Sequence, residues 1–330
     1  MTKTTQKDLL RAKHLIESAR TIVLATHENP DGDGIGAMLA FAQYLDTIDK
    51  QYVAYVTGSV PQYLSFLPHF EKLTTEIPFA EPDLLIGFDY GDTARLRLPY
   101  TSPRTYHFVT LDHHPKTTQE GEVCIADTSF SSTCELAYRF FAANDIAITK
   151  EMATCIYTGI VTDTGGFMHT NTTADTFTVA AELLRHTPID TEWVTKRVLG
   201  FPSYGAARVT GLALSRLAIN PETHVAYTYL STRDLEEYGV LWEDVDNIVN
   251  LTNHITGEHI ACVALFKEKN DGMISVSFRS DAAKGFDVRR VAAALGGGGH
   301  RFAAAAKLQG TREEVMARVF EKIKKNPTAR

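Results

Sequence analysis

Four stretches of this 330-residue chain that read as regular secondary structure each deliver a side chain able to bind a metal. Thr21 to Thr26 reads as a buried strand and runs into His27; Leu84 to Phe88 runs into Asp89. Thr105 to Leu111 runs into Asp112-His113-His114, and a helix over about 151–161 delivers Asp163. The strand runs are almost continuously apolar and alternate with helical patterns at about 34–46 and 132–144. That combination fits a parallel sheet covered on both faces, with helices as crossovers. Open sheets of this kind place their chemistry at the carboxyl ends of the strands. Successive strand residues point to opposite faces, so the chain must leave the sheet at Asp112-His113-His114, and Pro115 agrees with that exit.

Size and composition narrow the classes. The length fits two domains, and a hydrophobic content of 44% supports real cores. No apolar run approaches the length of a bilayer-spanning helix, and the polar stretch from Met1 to Arg20 has no apolar core of a secretory signal. Cys124, Cys134, Cys155 and Cys262 are scattered without a CxxC pair, as expected of reduced thiols in a cytoplasmic protein. A net charge of −7 argues against a general binder of long nucleic acid and leaves a small anionic substrate open.

The segment His27-Glu-Asn-Pro-Asp31-Gly-Asp33-Gly-Ile-Gly36 places three potential ligands within seven residues. Gly32 and Gly34 are expected to give the tight backbone that turns both carboxylates to one point. Asp31 or Asp33 taken singly would serve as an N-cap for the following helix, whereas the whole segment favours a metal. The glycines have the wrong spacing for a dinucleotide fingerprint. Asp92 reads as a turn or cap residue beside Asp89, and a single Asp163-Thr-Gly cannot make an aspartic-protease dyad. Four carboxylates at one sheet edge would repel unless cations intervened, and two divalent ions balance them. Carboxylate and imidazole without thiolate suit Mn²⁺ first, with Mg²⁺, Co²⁺ or Zn²⁺ as alternatives. Two such ions are suited to in-line attack at phosphorus.

The remainder of the chain changes character. The stretch 186–205 carries Pro188, Gly200, Pro202 and Gly205 and reads as a linker, followed by a helix over about 206–218. After Pro221 come strands at 224–230, 260–268 and 273–279, a short helix over 287–295, four glycines from Gly296 to Gly299, and a last helix opened by a Thr311/Glu314 capping box. One glycine after a helix is an ordinary C-cap; four exceed that need and offer backbone N–H groups to an anion. Arg279, between two serines at a strand end, reads either as a solvated arginine or as a phosphate contact. Arg289 and Arg290 read as surface charges, and His169, close after Asp163, has no assigned role.

In order, the motifs His27-x3-Asp31-x-Asp33, Asp89, Asp112-His113-His114 and Asp163-Thr-Gly resemble the DHH phosphoesterase superfamily. Ser277-Phe278-Arg279-Ser280 and Gly297-Gly298-Gly299-His300 resemble its DHHA1 partner domain. The likeness runs over about 20–310. It is nearest to the NrnA-type short-oligonucleotide ribonucleases, which also act as phosphatases on 3′-phosphoadenosine 5′-phosphate. The resemblance implies an α/β protein: an N-terminal parallel-sheet DHH domain with flanking helices at 1–188, a linker with a helix at 189–220, and a smaller DHHA1 domain with a mixed sheet at 221–330. The active site would lie in the cleft between the domains. It implies one metal on His27, Asp31 and Asp89, and a second on Asp33, Asp89, His113 and Asp163, with Asp89 bridging. Asp112 would be a support. His114 would face the substrate phosphate as donor or general acid. Arg279, Gly297, Gly298, Gly299 and His300 would hold the neighbouring nucleotide. Gly34 and Ala37 stand where the family often has Ala and Ser, and Ala306 replaces the last glycine of its Gly-Gly-Gly-His-x-x-Ala-Ala-Gly string.

The expected function is a two-metal hydrolase that releases nucleoside monophosphates from very short single-stranded RNA and removes the 3′-phosphate of 3′-phosphoadenosine 5′-phosphate, with no long duplex and no membrane as partner. The alternatives are a linear or cyclic dinucleotide phosphodiesterase, an inorganic pyrophosphatase, and a nucleotide-binding module without turnover.

Overall fold

The computed structural model describes residues 5–78, 80–100, 105–114, 121–245, 247–255 and 259–325. The chain divides into two compact units, Met1–Gly200 and Phe201–Arg330. Pro115 lies outside the described residues.

The first unit is built on six strands: β1 Thr21–Thr26, β2 Gln51–Tyr55, β3 Leu73–Thr74, β4 Leu84–Phe88, β5 His107–Asp112 and β6 Val123–Ala126. All pair in parallel, in the order β3-β2-β1-β4-β5-β6. The order reverses between β1 and β4, and their carboxyl ends flank the crevice where such sheets bind ligands. Register fixes the neighbours there: Thr26 pairs with Phe88 and Phe88 with Leu111, so His27, Asp89 and Asp112 leave the sheet side by side. Strands β1, β4 and β5 are buried almost throughout, as the apolar runs require.

Around the sheet lie α1 Gln6–Ser18, α2 Gly32–Thr47, α3 Thr133–Ala143, α4 Lys150–Asp163, α5 Ala174–His186 and α6 Thr191–Leu199. Phe41 sits among Phe88, Phe140 and Phe141, with ring centroids 4.9–5.1 Å away, and ties α2 and α3 to β4. The start of α2 lies against the end of α4 at very close range. A β-carbon on Gly32 would fall 2.2 Å from Thr162 Oγ1, and one on Gly34 2.3 Å from Thr26 Oγ1. Both glycines are helical, so their role is close approach and not the unusual backbone turn expected from the sequence.

The second unit has α7 Tyr204–Ser215, β7 Ala218–Asn220, β8 Val225–Ser231, α8 Thr232–Glu237, α9 Ile248–Asn253, β9 Cys262–Glu268, β10 Met273–Arg279, α10 Val288–Ala294, β11 Gly298–Gly299, β12 Ala303–Gln309 and α11 Arg312–Lys325. Its sheet runs β11-β12-β10-β9-β8-β7 and is mixed, with only β8 and β9 parallel. Val315, Val319 and Ile323 bury the inner stripe of α11, and its start carries the Thr311/Glu314 capping box. The stretch read as a linker, 189–220, is mostly helical: α6 packs on α4 in the first unit, and α7 belongs to the second. Helices α5, α8 and α9 and strands β3, β6, β7, β11 and β12 have no counterpart in the sequence reading.

Candidate metal centre

Asp31 is the N-cap of α2. Its Oδ1 accepts from Asp33 N at 3.0 Å and Gly34 N at 3.3 Å. The capping role weighed in the sequence is therefore real, yet it does not remove Asp31 from the site. One ligand atom each from His27, Asp31 and Asp89 lies within 4.8 Å of the others. Asp33, the second residue of the helix, is fully buried, and its oxygens accept from Thr133 N at 2.7 Å and Cys134 N at 2.8 Å, the first turn of α3. The positive end of α3 thus aims this carboxylate.

Asp33, His113 and Asp163 form a second triad with the same spacing. His113 Nε2 is 3.9 Å from Asp33 Oδ2, 3.5 Å from Asp163 Oδ2 and 3.5 Å from Asp89 Oδ1. On its other side Asp89 Oδ2 is 3.6 Å from His27 Nε2. Asp89, a member of the first triad, therefore also faces His113 of the second, and with His113 and His114 it forms a third group of the same spacing. Asp89 has φ +53°, the left-handed region, which Asp tolerates better than most residues and which recurs at functional sites.

Asp112 does not point into either triad. Its Oδ2 accepts from Tyr90 N at 3.0 Å and Gly91 N at 2.6 Å, and its Oδ1 from His114 N and Nδ1, both at 2.9 Å. It ties the loop after β4 to the loop after β5 and orients His114, whose Nδ1 is also 3.2 Å from Asp89 Oδ1.

Two residues of the next loop hold Asp163. His169 Nδ1 meets the Asp163 carbonyl at 3.0 Å. Asn171 Nδ2 donates to Ser131 O at 2.8 Å, to Asp163 O at 3.3 Å and to Asp163 Oδ2 at 3.1 Å. Sequence reasoning left His169 undecided and missed Asn171, since an asparagine in a polar turn carries no spacing signal. Asp92 caps a short 3₁₀ turn through Ala94 N at 2.9 Å, as a turn residue should.

The electrostatics follow from burial. Burial and the neighbouring Asp89 push the Asp31 carboxyl up, and burial with Asp89 and Asp163 pushes Asp33 well up. Burial likewise raises Asp163, to about 7. For Asp89 burial acts upward too, but hydrogen bonds from His113, His114 and His27 reverse it and hold this carboxyl well below the usual range. Burial would lower the two imidazoles; contact with Asp89 and its neighbours overrides that, raising His113 to about 10 and His114 to about 11. Without metal, protonated His113 and His114 face an ionised Asp89. The donor set fits divalent cations: oxygen and imidazole nitrogen, buried, with the nearby Cys134 Sγ turned to the Asp33 carbonyl at 3.4 Å. His27 Nδ1 is buried with no hydrogen-bond partner among the described residues.

In the second unit Arg279 is held by Nε to Asn250 Oδ1 at 2.8 Å and by Nη1 to its neighbour's carbonyl, Phe278 O, at 2.9 Å. Arg289 and Arg290 pair with Asp287 and are exposed, as surface charges. Gly296 has φ +80° and closes α10. Gly297 and Gly299 have a packing reason: a β-carbon on Gly297 would fall 2.1 Å from Ala305 O, and one on Gly299 2.5 Å from Ala304 Cα. Three of the four glycines are thus explained by the cap and by the ribbon's approach to β12, so their number does not by itself call for an anion. Ala306, the departure noted above, places its methyl 2.8 Å from where a Gly297 β-carbon would sit. Gly298 and His300 are exposed, and His300 N donates to Ala303 O at 2.7 Å.

Two family models match the chain: DHH family, N-terminal domain, over residues 21–160, and DHHA1 domain over 222–326. The bifunctional oligoribonuclease and PAP phosphatase NrnA of Thermus thermophilus is 32% identical over 309 residues, covering 93% of this chain and 90% of the relative. The Bacillus subtilis protein of the same description is 27% identical over 291 residues, covering 87% and 89%. The crystal structure of an exopolyphosphatase-related protein from Bacteroides fragilis superposes with a TM-score of 0.88 at 26% identity, covering 99% of this chain and 98% of that one.

Proposed function

The chain belongs to the DHH family, with a DHHA1 domain in its second unit, and from that premise we propose that it is a metal-dependent phosphoesterase acting on very short RNA. It releases nucleoside monophosphates from oligoribonucleotides of a few residues and removes the 3′-phosphate of 3′-phosphoadenosine 5′-phosphate. The observation that carries this reading is the pair of acid-imidazole triads, His27-Asp31-Asp89 and Asp33-His113-Asp163, linked by the contact of Asp89 with His113. His27, Asp31 and Asp89 would hold one divalent cation, and Asp33, Asp89, His113 and Asp163 the other, with Mn²⁺ the best match to the donors. When bound, the two ions supply a water of lowered pKa and bind the non-bridging phosphate oxygens.

The chain's own residues do the remaining work. A carboxylate only accepts, so the His114 Nδ1 facing Asp112 carries a proton, and Asp112 fixes the plane of the ring. With its pKa raised to about 11 the ring also carries a proton on Nε2, and that N–H is placed to donate to the phosphate or to the departing oxygen. Asn171 and His169 hold the backbone and carboxylate of Asp163 in place. Arg279, Gly297 to Gly299 and His300 are the residues assigned to the rest of the nucleotide. Among the described residues no helix is long and apolar enough to cross a membrane, and the proposed setting is the cytoplasm.

The test is hydrolysis by the full chain with Mn²⁺ of a panel: RNA from 2-mer to 24-mer, 3′-phosphoadenosine 5′-phosphate, linear di-purine dinucleotides and pyrophosphate. Mononucleotide from the shortest RNAs and phosphate from the bisphosphate are expected. Turnover of pyrophosphate alone would contradict the nucleotide reading, and no turnover at all would contradict the enzyme.

A further inference from the structure

Arg95 lies in the short 3₁₀ turn Thr93–Leu96 that follows Asp89. It is half-buried beside an acidic centre, yet among the described residues its guanidinium makes a single hydrogen bond, Nη1 to Tyr90 O at 3.0 Å, and no ion pair. Its neighbour Arg97 differs: Nε is 2.7 Å from Glu28 Oε2, so that charge is answered and Glu28 is committed. A guanidinium has five N–H donors in a planar fork, and most of those of Arg95 are unspent.

The Nη1 edge of this guanidinium lies beside Gly91. That glycine has φ +64°, its N–H is taken by Asp112, and a β-carbon there would lie 3.4 Å from His114 Cγ and 3.6 Å from Arg95 Nη1. The His114 ring and the Arg95 guanidinium therefore both border Gly91, which carries no side chain of its own. One hydrogen-bonded unit, Asp112 with Gly91 and His114, orients this corner, and the Tyr90 carbonyl holds Arg95 against it.

We infer that Arg95 and His114 together form a phosphate-binding corner over Gly91, in which the Arg95 fork takes oxygens of a phosphate group of the substrate. The inference rests on the phosphoesterase reading and adds to it a residue that binds substrate and no metal. Two divalent ions balance the four carboxylates Asp31, Asp33, Asp89 and Asp163, so the phosphate arrives with a charge that the centre itself does not answer. A planar fork meets two phosphate oxygens at once, which an ammonium cannot do.

The experiment is titration calorimetry of inorganic phosphate into the Mn²⁺-loaded full chain, with KM for 3′-phosphoadenosine 5′-phosphate measured in parallel. Arg95→Ala should weaken phosphate binding roughly ten- to a hundredfold, the range for hydrogen bonds to charged groups, and raise KM, with melting temperature and Mn²⁺ stoichiometry unchanged. Arg95→Lys should recover part of the loss, and Arg97→Ala none of the effect should reproduce. Phosphate binding by Arg95→Ala as tight as in the parent chain would overturn the inference, as would loss of Mn²⁺ in that variant. If the parent chain hydrolysed nothing in the panel above, the proposed function would fall, while the phosphate titration would still decide the role of Arg95.

Discussion

Asp112 grips His114 twice, its Oδ1 accepting from both the backbone nitrogen and ring Nδ1 at 2.9 Å. The same side chain accepts from Tyr90 N and Gly91 N, so one buried carboxylate joins two loops and orients one imidazole. Asp112→Asn keeps the shape but replaces an acceptor oxygen by a donor. It should lower kcat about ten- to a hundredfold, as losses of outer-shell partners do, while Mn²⁺ stoichiometry stays as in the parent. Steady-state kinetics with metal analysis of the same samples checks this; loss of metal would make Asp112 a ligand.

Metal loading should expel protons. In the metal-free chain His113 is raised to about 10, because the acids around it outweigh the burial that would lower it. A ligand imidazole must be neutral, so each ion captured by His113 releases a proton, and affinity should climb as pH rises from 6 to 8. Calorimetry in two buffers of different ionisation enthalpy measures the release directly. Buffer-independent heats would contradict the assignment of His113 as a ligand.

Gly159 on α4 lies beneath the centre. A β-carbon there would fall 2.2 Å from Cys134 Sγ and 2.9 Å from Asp33 Oδ1. Gly159→Ala should therefore cost about 1–3 kcal/mol through overpacking, although alanine is the better helix former, and it should weaken metal binding by displacing Asp33. Thermal unfolding and a Mn²⁺ titration test both; a more stable variant with normal affinity would refute the packing argument.

In the second unit Arg216 forks onto Asp234, with Nη1 to Oδ2 at 2.7 Å and Nη2 to Oδ1 at 2.8 Å, and stacks on Tyr229. Hydrogen bonding to Arg216, against some burial and aided by Ser231, lowers Asp234 from 3.8 to about 2. A depressed carboxyl stabilises the fold above its unfolded pKa and loses that contribution as pH falls through the folded value. Asp234→Asn should thus cost roughly 2 kcal/mol at neutral pH, with the gap closing between pH 4 and 2. Denaturant unfolding of the second unit, followed through Trp242 in a Trp193→Phe background, reads this. A gap that persists at pH 2 would mean that the carboxylate's charge is not the source.

The parts of the site that were legible in the sequence are those carried by strand ends. His27, Asp89 and Asp112 terminate apolar runs, and parallel register then sets them side by side with no further information needed. What was not legible depends on tertiary context. Helix α5 carries three threonines (Thr173, Thr176 and Thr178, cap included) that weaken its helical signal, though Val179, Ala180 and Leu183 bury a face and Thr173 and Thr176 cap it. Strand β12 is an alanine run with little strand propensity; it pairs because the glycine ribbon and β10 meet it on either side, Gly298 opposite Ala305 and Val276 opposite Ala306. Asn171 and Arg95 act through loops whose conformation no periodicity encodes.

On the proposed function, Asp89 joins two metal positions in one hydrolytic centre. Metal analysis after Mn²⁺ titration, paired with hydrolysis of a short RNA, tests it on the parent chain and on Asp89→Asn. Two ions per parent chain are expected, with at most one tightly held ion in the variant and activity reduced by more than about a hundredfold, beyond what outer-shell partners cost. A variant that kept two ions and substantial activity would contradict it.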